Sequence, residues 1–225
     1  MKIALVHDYL TQNGGAERVF ELLCDHFPEA DIYTSLYDPE NSIKLEGRAV
    51  NTTFLQKIPG AAKFFRLLAP FYFSAFRSLD LQAYDLILSS TTSFAKAVRK
   101  RDDAIHVCFC HNVTRFLWDT ETYLKGYGKY QKFYPLLKPI FHQLKQLDFK
   151  YAQEPDVYIA NSSIVAERIR KYYQRPATAI NYPIDDGQFN FLDRQFKYEV
   201  QQVLMMTARI LHSECDSQAI FLVDY

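Results

Sequence analysis

Ile3-Ala-Leu-Val6 is a short, unbroken apolar run, and Thr11-Gln-Asn-Gly-Gly15 after it is polar and glycine-containing. Val19, Phe20, Leu22, Leu23 and Phe27 then recur at helical spacing until Pro28, and Asp31-Ile-Tyr-Thr-Ser-Leu-Tyr37 is strand-like. A continuous apolar strand bounded by loops suits a sheet covered on both faces. Strand, loop, helix and strand in that order open a right-handed crossover unit. Residues 3–37 decide the fold, because the rest of the chain repeats their pattern.

The periodicity predicts strands over Ala49–Leu55, Tyr84–Ser89, Ile105–Cys110, Asp156–Ala160 and Ala177–Tyr182. It predicts one or two helices over Ala61–Leu79, broken at Pro70, and a helix through Phe94, Ala97 and Val98. Tyr134–Tyr151 reads as a long amphipathic helix with Leu136, Leu137, Ile140, Phe141, Leu144 and Leu147 on one side. Ser162 is a ready N-cap for a helix running to Tyr173. Strands alternating with helices argue an α/β, doubly wound, mostly parallel and Rossmann-like sheet. The expected division is a domain over residues 1–183, a turn-rich linker over 184–199 and a short divergent tail over 200–225.

Composition excludes several function classes. Lys plus Arg and Asp plus Glu both number 26, so a net charge of zero argues against a nucleic-acid binder. Hydrophobic residues at 48% and 225 residues in all suffice for a core without disulfides. The cysteines, Cys24, Cys108, Cys110 and Cys215, show no framework spacing. No run approaches the roughly 18 apolar residues of a spanning helix. The N-terminal run is a strand rather than a signal peptide. The expected location is therefore cytoplasmic, and the Asn-x-Ser/Thr matches at Asn51, Asn112 and Asn161 are taken as chance.

Cys108 and Cys110 lie two apart on a strand and face one way, so small buried side chains describe them better than a metal site. No metal is expected, since zinc spacing needs further ligand pairs. Trp118 reads as a core residue. Lys96–Arg101, with four basic residues, reads as a solvated face. Ala61–Arg77 mixes Lys63, Arg66 and Arg77 with many aromatics. It fits a buried helix pair, or a peripheral contact with the inner face of a membrane. The lack of any Gly-x-Gly-x-x-Gly argues against a dinucleotide oxidoreductase.

Four stretches in order carry a family resemblance. They are Val6-His-Asp8 with Gly14-Gly-Ala-Glu-Arg18, then Asp31-Ile-Tyr-Thr-Ser-Leu-Tyr-Asp38, then Cys110-His-Asn-Val-Thr-Arg-Phe-Leu-Trp-Asp119. The last is Asn161-Ser-Ser163 followed by Tyr182-Pro-Ile-Asp185. Over about residues 1 to 190 the chain resembles the N-terminal domain of family-4-type retaining glycosyltransferases, which have the two-domain GT-B fold. The resemblance implies a nucleotide-sugar donor, no bound cofactor or metal, and a glycan or lipid-linked acceptor. It implies His111 as the catalytic-site histidine and Gly14 and Gly15 as the loop beside the donor's diphosphate. It implies Asp8, Arg115, Asn161 and Ser162 as acceptor or sugar contacts. Val113 stands where the family usually has Pro.

Val203–Arg209 resembles the first strand of the family's second, donor-binding domain, with Arg209 as a donor-binding remnant. The family's Lys does not follow it, since the chain reads Ile-Leu-His-Ser-Glu-Cys instead. The expectation is a truncated chain with impaired or no activity alone. The alternative is a non-catalytic acceptor- or lipid-binding module, or a half-enzyme that pairs with a separate donor-binding chain.

Overall fold

The computed structural model describes residues 1–45, 47–120, 123 and 134–180. Seven strands form one all-parallel sheet: β1 Ile3–His7, β2 Asp31–Thr34, β3 Val50–Thr52, β4 Leu86–Thr91, β5 Ile105–Cys110, β6 Val157–Ala160 and β7 Thr178–Ala179. Their order is β3-β2-β1-β4-β5-β6-β7. The chain thus builds outward from β1 to β3, then returns to the other side of β1. The β1/β4 junction is the topological switch point, where open α/β sheets bind ligands beyond the strand ends.

The helices are α1 Gly15–His26, α2 Ala69–Arg77, α3 Arg115–Trp118, α4 Tyr134–Tyr151 and α5 Ser163–Tyr173. Every residue of β4 and β5 is buried, as a parallel sheet covered on both faces requires. One core gathers Ala4, Val6, Ile87, Phe73, Phe76, Phe94 and Leu144. Another gathers Cys108, Cys110, Tyr158, Val165, Ile169 and Tyr173 beneath α5. Burial pushes the Cys108 thiol up to about 12, which suits a packing role.

Several expected elements are shorter than their hydrophobic runs. Residues 49–55 give only Val50–Thr52, because Thr53 leaves the sheet: its hydroxyl accepts from the Leu55 amide and donates to the Ser35 carbonyl. Pro70 opens α2 instead of breaking a helix, as its missing N–H allows in a first turn. Before it lie three 3-10 turns, Phe54–Lys57, Ala61–Lys63 and Phe65–Leu68. In α4, Leu144 is buried but Ile140 is 43% exposed, so the apolar side is narrower than its spacing suggests.

No helix follows β4. A single 3-10 turn, Ala95–Ala97, stands there instead. The amides of Thr92, Ser93, Phe94 and Ala95, which would open a helix, converge on the Asp8 carboxylate at 2.6–2.9 Å. One buried anion thus outcompetes helix nucleation, which is costly for a short segment.

Lys96 is not solvated. It is 1% exposed, and its Nζ lies 2.6 Å from Asp148 Oδ1 on α4. Asp148 also accepts from the Thr114 hydroxyl at 2.7 Å and from Trp118 Nε1 at 2.6 Å. Trp118 is therefore a structural donor that clamps α3 to α4. Removing one member of a buried pair leaves the other charge uncompensated. Lys96→Met is expected to cost about 3–5 kcal/mol in urea denaturation; a loss under about 1 kcal/mol would show that the pair does not hold the loops.

Candidate functional site

The switch point is polar where the strands end. His7, the last residue of β1, pairs in register with Ser90 of β4. His7 Nδ1 and Ser90 Oγ are 3.1 Å apart, and Ser90 Oγ lies 2.7 Å from His111 Nε2. On the other side of the His7 ring, Nε2 is 3.9 Å from Glu17 Oε1 in the first turn of α1. His7 also stacks on Phe20 at 4.8 Å. A string therefore runs Glu17–His7–Ser90–His111, and each member is buried.

Electrostatics give the string a direction. Burial pushes the Glu17 carboxyl up, but the contact with His7 and the hydrogen bond from Gln12 outweigh it and leave its pKa below the ordinary value. Glu17 is thus ionised at neutral pH and favours a proton on His7 Nε2. His7 Nδ1 then accepts from the Ser90 hydroxyl, and Ser90 accepts from His111 Nε2–H. Burial and the neighbouring His7 hold the His111 pKa down at about 3, so its ring is neutral at physiological pH. A neutral imidazole can accept a proton or hydrogen bond, which an imidazolium cannot.

Glu17 also builds the glycine turn. Its Oε2 accepts the Gly14 amide at 3.0 Å, and Gln12 Nε2 donates to Oε1 at 3.0 Å. A Cβ on Gly14 would fall 2.7 Å from that Oε2, so Gly14 makes room for the cap. Gly15 is different. It is exposed, and an added Cβ there would meet nothing within 4 Å. Neither glycine has a positive φ. The packing of the chain therefore gives no reason for glycine at position 15, which opens α1 at the positive end of its dipole.

The other expected site residues separate. Asp8 lies at the switch point but is 1% exposed, and its two oxygens receive six hydrogen bonds from Thr91, Thr92, Ser93, Phe94 and Ala95. That placement makes it the anchor of the loop after β4 and leaves no face for the acceptor contact expected of it. Asn161 and Ser162 lie on the same sheet edge, but at the end of β6, three strand positions from β1 or roughly 14 Å. Ser162 caps α5, accepting from the Val165 amide at 3.4 Å. Arg115 is exposed as the first residue of α3. Arg209 lies outside the described residues.

His7, Ser90 and Glu17 were not singled out from the sequence as ligand-site residues. Their signal was present: an apolar run that ends Ser89-Ser-Thr-Thr-Ser93 puts hydroxyls where a strand meets its loop. Only the strand order brings that end beside His7.

An all-parallel sheet of this order, with helices on its faces, defines a Rossmann-like α/β domain. Residues 13–187 match the profile of Glycosyltransferase Family 4, and the chain belongs to that family. No curated protein matches the chain. Among solved structures, it is similar to Anabaena HepE in complex with UDP-glucose (15% identity, TM-score 0.44). It is equally similar to HepE with UDP and glucose (15% identity, TM-score 0.45). In both cases 90% of this chain is covered, and it spans about half, 50%, of the other.

Two outcomes follow from this geometry. His106 on β5 is wholly buried, with Nε2 2.7 Å from Ser89 Oγ, and burial followed by Lys100 lowers its pKa to about 3 as well. An unfolded histidine titrates near about 6.5. Below that pH the unfolded chain binds protons that the folded chain refuses, so stability falls from about pH 6.5 down to about pH 3. Each such histidine steepens the fall by about 1.4 kcal/mol per pH unit. His106→Asn should make urea-derived stability shallower by that amount between about pH 6 and about pH 4.5, just below the unfolded histidine's titration. Ser90→Ala should leave the chain folded, at a cost of about 1–2 kcal/mol, and should shift the ring nitrogen NMR signals of both His7 and His111. Unmoved ring signals would mean that the string does not couple them.

Proposed function

We propose that the chain forms the acceptor-side wall of a sugar-transfer site that uses a nucleotide-sugar donor. The reading places the donor's diphosphate at the N-terminus of α1, where backbone N–H groups and the helix dipole favour an anion. The observation that carries it is Gly15: open space beyond an absent Cβ, at a helix N-terminus, beside the string that includes His111. Family membership supports the same reading.

In this reading the departing diphosphate is stabilised by the first turn of α1, and neutral His111 accepts a hydrogen bond from a sugar or acceptor hydroxyl. Transfer is retaining: the acceptor hydroxyl is held on the face of the sugar that the diphosphate leaves, so orientation supplies much of the rate. The acceptor is a glycan or a lipid-linked sugar, met on the cytoplasmic side of a membrane. The absence of the family's Lys after Arg209 favours a second reading, in which a separate chain supplies the donor contacts.

A panel of nucleotide sugars, beginning with UDP-glucose, tests this with membrane extract as acceptor source, with and without a supplied donor-binding domain. His111→Ala should lower transfer by about 10²–10³-fold. Gly15→Ala should leave stability unchanged or raise it by up to about 1 kcal/mol, since alanine is the better helix former, while weakening use of the donor. Gly14→Ala should destabilise the chain by displacing Glu17. Full activity in both His111→Ala and Gly15→Ala would end the proposal. Turnover only with the added domain would favour the second reading.

A further inference from the structure

From Gly47 to Leu79 the chain contains no Asp or Glu but carries Arg48, Lys57, Lys63, Arg66 and Arg77. The fold sorts the aromatic and apolar residues of this stretch into two sets. Phe65, Leu68, Tyr72, Phe73 and Phe76 are buried in the core. Phe54, Ile58, Phe64, Leu67 and Phe71 point outward and are 45, 36, 37, 73 and 53% exposed. They occupy consecutive turns tied by backbone hydrogen bonds, Ala61 N–H to the Ile58 carbonyl at 3.1 Å and Leu67 N–H to the Phe64 carbonyl at 2.8 Å. Five large apolar side chains on successive turns form a surface, not the scattered exposure common to any protein.

The cations divide as well. Arg48 donates to the carbonyls of Cys24, Phe27 and Ala30, and Arg77 pairs with Glu154 at 2.9 Å. Both are committed to the fold. Lys57, Lys63 and Arg66 are exposed and interleaved with the outward apolar residues. Arg66 lies over the Phe65 ring at 4.4 Å.

The charge pattern selects the occupant. Apolar groups flanked by cations, with no anion among them, complement a bilayer surface that offers an acyl boundary and lipid phosphates together. A second copy is a poor fit, because a two-fold contact would set Lys57, Lys63 and Arg66 against their own equivalents. Among the described residues no helix is long and apolar enough to cross a membrane, so the contact is with the surface. Tyr9, next to the anchor Asp8, packs on Phe65 at 4.6 Å and on Tyr72 at 6.0 Å. The surface therefore hangs from the end of β1, on the sheet edge that carries His111.

We propose that residues 54–71 dock this protein on an anionic lipid bilayer, with Phe64, Leu67 and Phe71 at headgroup depth and Lys57, Lys63 and Arg66 on the phosphates. The exposed apolar side chains begin at Phe54, ahead of the Ala61–Arg77 stretch read from sequence, and those beyond Phe71 belong largely to the core. The docking does not depend on the sugar-transfer reading, although it would bring a lipid-borne acceptor to the edge that carries His111.

Co-sedimentation of the full chain with vesicles tests it, using phosphatidylcholine alone and phosphatidylcholine mixed with phosphatidylglycerol. Binding is expected on the mixed vesicles only, and it should weaken with added salt. Each of Lys57→Ser, Lys63→Ser and Arg66→Ser should lower it by about fivefold. Leu67→Ser with Phe71→Ser should abolish it while circular dichroism and elution as a folded chain stay unchanged. Transfer to a water-soluble acceptor should survive these substitutions, which separates a failed docking surface from a failed transfer site. Equal binding to both vesicle types, or binding unaltered by either set of substitutions, would overturn the proposal. So would a change of oligomeric state in the Leu67→Ser, Phe71→Ser variant without any vesicle binding by the parent, which would assign the surface to a second copy.

Discussion

A single buried carboxylate organises the switch point. Asp8 leaves the end of β1 and gathers the loop that follows β4, taking four backbone amides and two hydroxyls. Its own carbonyl accepts from the amide of Ser35, after β2. Three strand ends are thereby held at one point, and charge-assisted hydrogen bonds are among the stronger ones available to a protein. Because the amides after β4 are satisfied by this anion, that loop stays close to the sheet edge instead of rising into a helix. Ser90 is then held between two histidines, and the polar string to Glu17 follows.

A second buried ionic group extends this rigidity. Lys96, on the turn that Asp8 shapes, reaches Asp148 of α4, and Thr114 and Trp118 bind the same carboxylate. The Thr114 amide in turn donates to the Tyr173 hydroxyl at the end of α5. The loops after β4 and β5 are thus fixed to α4 and α5 through polar contacts in a dry interior. Such a network is costly to interrupt and holds its members in one arrangement. Loops that carry binding residues are usually the mobile parts of an α/β domain; here two of them are tied down.

The site and the surface share one edge of the sheet and use opposite means. At the site, charge is sparse and directional: one ionised Glu17, a neutral His111 and the amide end of a helix. On the surface formed by residues 54–71, charge is diffuse and of one sign, between apolar side chains. The first arrangement suits recognition of a defined anion, and the second suits a broad anionic plane. Both hang from β1, through Gly14 on one side and Tyr9 on the other.

The strands and most helices were legible because burial on two faces leaves a run such as Ile3–Val6 few alternatives, and because Ser162 and Pro28 mark helix ends by local chemistry. The family motifs were legible for the same local reason. Whatever depended on a distant partner was not. Asp8 reads as a site residue until its donors, more than 80 positions away, are seen to fill both its oxygens. Lys96 reads as solvated until Asp148 arrives from α4, and a helix after β4 is expected until Asp8 takes its amides. His7 and Ser90 become neighbours only through a strand order that returns the chain to β1. Local periodicity and capping specify elements; the destination of a buried charge is set by what the fold brings against it, because an unpaired charge in a dry interior is too costly to leave.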